Sequence, residues 1–158
     1  MDNEVTWWKF DEVENFMKAG FEAVGVPSQE AAVCADVLIS ADKRGVDSHG
    51  VGRYKPIYLD RIWDGILNPK TNFEVVRETP TTAVVDGHNG MGLYIAKRSM
   101  EMALEKADKM GLGMVVCRNS THFGAAFYYA RMAVERGMIG MVTTNARPSI
   151  APTWGVEP

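Results

Sequence analysis

The sequence predicts an α/β protein: a helical N-terminal segment followed by βαβ units of a mainly parallel sheet. Three observations carry this reading. Apolar residues in the first third recur at helical spacing. After Asn68-Pro69, short runs rich in Val and Thr replace that spacing. Those runs then alternate with two helical patterns, the arrangement that parallel strands and crossover helices need. The chain therefore divides into residues 1–69, helical, and residues 70–158, α/β.

The elements follow in order. Asp11 with Glu14 three residues on starts a first helix, with Val13, Phe16, Met17, Phe21 and Val24 on one face. Gly25 and Pro27 end it. Ser28 is the N-cap of a second helix, with Glu30 in its first turn and Ala31, Ala35, Leu38 and Ile39 on its apolar side, running through Asp42-Lys43-Arg44 to Gly45. A third, shorter helix starts near Pro56, is packed by Ile57, Leu59, Ile62 and Trp63, and stops at Gly65. Phe73–Val76 and Thr81–Val85 read as strands. A glycine-rich turn, Gly87 to Gly92, leads into a long helix from Leu93 to Met110. Met114–Cys117 reads as a buried strand, Gly124–Arg136 as a helix and Met138–Thr144 as a further strand.

Composition narrows the function. The chain has 158 residues, 46% hydrophobic and 23% charged, with a formal net charge of −3. That is globular usage, not the composition of a disordered chain. A slightly acidic balance argues against a nucleic-acid partner. The longest stretch without Asp, Glu, Lys or Arg is Asn119–Ala130. It falls short of the about 20 apolar residues that a membrane span needs. The N-terminus, Met1-Asp2-Asn3-Glu4, is acidic where a signal peptide is basic. Cys34 and Cys117 are two isolated cysteines, which make neither a disulfide framework nor a zinc site, and the reducing cytoplasm is the expected compartment. His49, His88 and His122 show no metal-ligand spacing.

Chemistry concentrates in three loops. The first is Arg44-Gly45-Val46-Asp47-Ser48-His49-Gly50, with Arg53 beyond it. A histidine passes protons near neutrality, a guanidinium fork matches a carboxylate, and Ser48 adds a hydrogen bond. Those are the groups that interconversion of an α-hydroxy and an α-keto acid requires. The same loop also reads as a capping histidine beside a solvated arginine, and spacing leaves both open. The second is Asn119-Ser120-Thr121-His122-Phe123-Gly124, between a strand and a helix, where open α/β sheets bind ligands. A plain helix cap is the competing reading. The third is Thr143-Thr144-Asn145-Ala146-Arg147-Pro148, again at a strand end. Asn145 can hydrogen-bond a nicotinamide carboxamide and Arg147 can hold an acidic substrate, unless the segment is only a closing turn. The Gly87/Gly90/Gly92 turn has G-x-x-G-x-G spacing, not the G-x-G-x-x-G dinucleotide fingerprint, and reads as a tight turn.

Together these segments resemble the malate/L-lactate dehydrogenase family that lacks a Rossmann fold, which includes malate, sulfolactate and ureidoglycolate dehydrogenases and diketogulonate reductase. The matching residues are Ala41-Asp42-Lys43-Arg44-Gly45-Val46-Asp47-Ser48-His49-Gly50, Arg53, Tyr58-Leu59, Asn68-Pro69, Arg77-Glu78-Thr79-Pro80, Val85-Asp86-Gly87, Asn89-Gly90-Met91-Gly92, Arg118 to Gly124, Thr144 to Pro148 and Ala151-Pro152. The resemblance implies an NAD- or NADP-dependent oxidoreductase acting on a small 2-hydroxy or 2-oxo acid. It implies His49 and His122 as the catalytic pair, with family members differing in which exchanges the proton. It places Ser48 and Arg53 on the substrate; Arg147 joins them as a second cation that favours malate over lactate, and Thr121 and Asn145 fall to the cofactor. A homodimer is implied, as is an incomplete copy of the family fold: the glycine-rich cofactor segment is expected after Pro158, which makes this chain resemble the N-terminal half. The alternative function is a non-catalytic dimerisation or interaction fragment of such an enzyme.

Overall fold

A computed structural model describes residues 6–145. The first helix, α1, spans Phe10–Ala23. Its start is capped by Glu12, whose Oε2 accepts the Lys9 N–H at 3.3 Å, so Asp11 and Glu14 are not the capping pair. Met17 and Phe21 are buried against α2, Ser28–Asp42. Phe16, expected inward, is 66% exposed and meets the Tyr54 ring edge-on. Neighbouring helical residues point about 100° apart, so a face that buries Met17 turns Phe16 outward.

Helix α2 has Pro27 at its N-cap and Ser28 as its first helical residue. Ala31, Cys34, Ala35, Val37, Leu38 and Ile39 are all buried. A helix small and apolar on every side belongs at the centre of a core. The chain then turns at Gly45 (φ +70°) into two 3₁₀ turns, Asp47–His49 and Val51–Arg53. A π-helical segment, Tyr54–Leu59, continues directly into α3, Asp60–Trp63. The helix expected near Pro56 thus begins earlier and winds wider. Trp63, expected to pack it, is exposed.

The sheet has three strands in the order β1 (Glu74–Glu78), β2 (Thr82–Asp86), β3 (Met114–Arg118). The pair β1–β2 is antiparallel, with Glu74 opposite Asp86. Its connection is too short for a crossover. The pair β2–β3 is parallel, with Val84 opposite Val116, because the intervening α4, Gly92–Met110, supplies the crossover. Strand β3 is not buried on both faces: Met114 and Val116 are exposed, while Val115 and Cys117 face α4. Helix α5 covers Phe127–Val134. No strand forms over Met138–Thr144, where Ile139 is 98% exposed. A strand needs a neighbour for its backbone, and none lies against this segment among the described residues. The main core joins both parts of the chain: Phe21, Leu38 and Tyr58 pack with Met91, Leu93 and Tyr129.

Candidate active site

Asp42, at the end of α2, fixes the first loop. Its Oδ2 accepts the Val51 N–H at 2.8 Å. A Cβ on Gly50 would collide with that same carboxylate, so glycine is required there. The loop so held presents Ser48 and His49, with Ser48 Oγ 2.9 Å from His49 Nδ1. Arg53 Nε donates to the Ser48 carbonyl at 2.5 Å. That contact orients the guanidinium and leaves its two terminal nitrogens available for an anion.

The second loop is held from the other side. Asp86 accepts Arg118 Nε and Asn119 Nδ2, both at 2.8 Å, and Asn89 N–H donates to the Asn119 carbonyl at 2.7 Å. Thr121 Oγ1 donates to the Gly90 carbonyl at 2.7 Å and accepts the Gly92 N–H at 3.0 Å. The glycine turn and the Asn119–His122 loop are thereby stitched together. A Cβ on Gly92 would overlap the carbonyl oxygens of Thr121 and His122. Gly124, at φ +75°, then lets the chain double back so that its N–H reaches His122 Nδ1 at 3.3 Å.

The two loops bring His49 and His122 together, with ring centroids 5.8 Å apart and planes 22° from parallel. Tyr58 completes the group: its side chain is fully buried and its hydroxyl lies 2.7 Å from His122 Nδ1. An amide N–H can only donate, so the Gly124 contact marks Nδ1 as the unprotonated nitrogen. Tyr58 therefore donates, and the His122 proton sits on Nε2. Burial raises the Tyr58 phenol well above its usual range, which keeps that donor protonated. Burial first, then the neighbouring His49, Arg53 and Arg61, lowers the His122 pKa to about 4. At neutral pH His122 is an uncharged Nε2–H donor.

Ser48, His49, Arg53 and His122 thus converge. Thr121, next to His122 in the chain, has its hydroxyl committed to Gly90 and Gly92. Asn145 is exposed, and its carbonyl accepts the Thr144 hydroxyl at 3.3 Å. Arg147 lies outside the described residues. The imidazoles and guanidinium suit the oxygen and carboxylate of a small acid. The glycine turn does not suit a dinucleotide phosphate, because the close approach its glycines permit is filled by the Asn119–His122 backbone at Gly87 and Gly92 and by Thr71 at Gly90. No group of three His, Cys, Asp or Glu side chains is arranged to hold a metal ion among the described residues, and none of their helices is long and apolar enough to cross a membrane. Asp42 and Tyr58 stood within matched segments without a role. Only the three-dimensional contacts assign them one.

The comparisons with known proteins agree with one another. The malate dehydrogenase of Pyrococcus horikoshii is 46% identical over 147 residues, covering 93% of this chain and 41% of the relative. The L-sulfolactate dehydrogenase of Methanocaldococcus jannaschii is 44% identical over 133 residues, covering 84% and 38%. The crystal structure of malate dehydrogenase from Entamoeba histolytica superposes with a TM-score of 0.89 at 47% identity, over 95% of this chain and 42% of that one. The chain thus spans about 40% of the length of the relatives it matches. The Malate/L-lactate dehydrogenase family profile matches residues 8–158, nearly the whole sequence. With both histidine loops inside that match, this chain belongs to the malate/L-lactate dehydrogenase family.

Proposed function

We propose that this chain forms the substrate-handling and proton-transferring part of a dehydrogenase that moves a hydride between NAD or NADP and a small 2-hydroxy or 2-oxo acid. The observation that carries this reading is the hydrogen-bonded Tyr58–His122 pair stacked beside His49. The nicotinamide cofactor, when bound, takes up or supplies the hydride. The chain's own residues handle the rest. The neutral His122 donates its Nε2–H to the C2 oxygen of the substrate. His49, steadied at Nδ1 by Ser48, exchanges the proton that the oxygen gains or loses. Arg53 holds the C1 carboxylate with its terminal nitrogens, which fixes C2 in place for transfer.

Malate is favoured over lactate. The nearer relatives are named for malate and sulfolactate, and both of those acids carry two anionic groups. Thr121 and Asn145 are the residues of this chain assigned to the cofactor, Thr121 through the loop it holds. Exposed Trp7, Trp8 and Phe16 offer apolar surface that a homodimer would cover, and two free cysteines suit the cytoplasm. The test is reduction of oxaloacetate and pyruvate by NADH or NADPH, followed at the nicotinamide absorbance, with the protein at its natural length. Turnover that His122→Asn lowers at least about a hundredfold supports the reading. No turnover of any 2-oxo acid with either cofactor overturns it.

A further inference from the structure

Asp86 carries a buried charge that the proposed chemistry does not use. It ends β2 opposite Arg118, which ends β3, and its side chain is only 5% exposed. A buried carboxylate is costly unless its oxygens are bonded, and here the two oxygens serve two different segments. Oδ1 accepts the His88 N–H at 3.0 Å, on the glycine turn. Oδ2 accepts Arg118 Nε and Asn119 Nδ2, both at 2.8 Å, where the chain enters the His122 loop. The His88 N–H first, then Asn119 and Arg118, hold the carboxyl below its usual range against the opposing effect of burial, so it is an anion at neutral pH. The backbone shows what this anion holds in place. His88 (φ +46°), Asn89 (φ +55°) and Asn119 (φ +48°) are the non-glycine residues with positive φ among the described residues. All three lie in the two segments that Asp86 joins. A side chain disfavours this left-handed region, Asn and His less than most, and the conformation persists where surrounding contacts over-determine it. His88 and Asn119 bond Asp86 directly, and the Asn89 N–H donates to the Asn119 carbonyl at 2.7 Å. Asn119 stands three residues before His122. The stretch between them is tied at its start by Asp86, at Thr121 by Gly90 and Gly92, and at its end by Tyr58. Without the carboxylate, Asn119 and His88 lose the contacts that hold them left-handed, and His122 moves as they relax.

We propose that Asp86 is a positioning residue of this site: its carboxylate clamps the glycine turn to the Asn119 loop and so fixes where His122 meets the C2 oxygen of the substrate. This rests on the 2-hydroxy acid reading above. Asp86 acts on His122 alone. Arg53 belongs to the other loop, where Asp42 and Ser48 hold it, so the grip on the substrate carboxylate does not pass through Asp86. The exposed contact between His88 Nε2 and Glu74 Oε2, at 2.7 Å, is a second tie on the glycine turn, and a pair open to solvent holds little.

The experiment compares wild type, at its natural length, with three variants. Asp86→Ala removes the carboxylate. Asn119→Gly removes the amide that Asp86 holds and eases the left-handed backbone at the same time. Glu74→Gln weakens only the outer tie. The first readout is the NMR titration of the His122 ring, assigned by the signal lost in His122→Gln. The second is kcat and KM for oxaloacetate with NADH, well below the melting temperature and per folded molecule. Wild-type His122, with its pKa lowered to about 4, should scarcely titrate between pH 5 and pH 8. Asp86→Ala leaves Tyr58, His49, Arg53 and Arg61 in the chain and frees the loop, so the His122 midpoint should rise by about one pH unit or more as the ring gains water. Its kcat should fall about ten- to a hundredfold, with KM within about twofold of wild type. Asn119→Gly should move both readouts the same way, and Glu74→Gln should move neither. An unchanged His122 titration in Asp86→Ala overturns the proposal, as does an unchanged kcat where wild type turns over. A lower melting temperature with both readouts unchanged is a purely structural role and overturns it too. Glu74→Gln acting as strongly as Asp86→Ala assigns the clamp to the outer pair and overturns it. If Asp86→Ala does not fold, Asn119→Gly decides: a His122 titration equal to wild type overturns the proposal. Should wild type reduce no 2-oxo acid, the dehydrogenase reading falls, and the titration still judges whether Asp86 places His122.

Discussion

Tyr58 and His122 stand 64 residues apart in sequence, yet the Tyr58 hydroxyl donates to His122 Nδ1 at 2.7 Å. The two arrive from separate elements, the π-helical segment and the loop after β3. Their contact, with that of the Gly124 N–H, leaves the His122 proton on Nε2. Tyr58→Phe keeps the buried ring and removes only that donor. The lost hydrogen bond is worth about 1 kcal/mol in stability, and turnover should fall about tenfold as the Nδ1–H tautomer gains population. The pH profile of kcat should also shift, which a purely structural loss would not cause. An unaltered profile at unaltered turnover removes Tyr58 from the mechanism.

The depressed pKa of His122 has a consequence for folding. Above about pH 6.5, the ordinary histidine value, the ring is neutral in both folded and unfolded chains and contributes no slope. Between about 6.5 and about 4 the unfolded chain binds a proton that the folded site refuses, so stability is lost as pH falls through this window. Urea denaturation at pH 7 and pH 5 measures the loss. His122→Gln does not titrate, so it should lose less stability over that interval than wild type. Equal losses would show that His122 is not held neutral.

Much of this site was legible in sequence. His49 and His122 lie in loops flanked by glycines at the ends of regular elements, and such loops are where ligands bind. Tyr58 was not legible. An aromatic at helical spacing reads as core, and burial alone would explain it; only the long-range partner gives it chemistry. Pro56 read as a helix start, and the sequence carries no signal for the wider π winding around it. Phe16 and Trp63 shared an apolar stripe with buried neighbours, but periodicity does not say how wide a face the rest of the fold covers. Met138–Thr144 has strand composition, yet a strand is a property of two neighbours, and sequence reads one of them at a time.

The glycine turn illustrates the same point in a testable form. Gly92 is required by contact: any side chain there meets the backbone oxygens of Thr121 and His122, which cannot rotate away as a side chain could. Gly92→Ala should therefore displace the His122 loop. Overpacking of this kind costs about 1–3 kcal/mol, and a shift of about 1 Å at a reacting group costs about a hundredfold in rate. Thermal denaturation and kcat measured together check both effects. Activity and melting temperature within the wild-type range would mean that the two loops are not rigidly coupled.

Arg53 supplies the last test, because its two ends do different jobs. Nε is committed to the Ser48 carbonyl, while the terminal nitrogens are the ones proposed to hold the substrate carboxylate. Lysine retains the positive charge but has a single ammonium, so it can serve the Ser48 carbonyl or a carboxylate without holding both in one plane. Arg53→Lys should raise KM for 2-oxo acids about ten- to a hundredfold, the worth of a lost charge-assisted hydrogen bond, and leave cofactor affinity nearly unchanged. The measurements are KM for oxaloacetate and nucleotide fluorescence on titration with NADH. A fall in NADH affinity with oxaloacetate KM unchanged would make Arg53 a nucleotide contact. The carboxylate would then need a different partner beside His49.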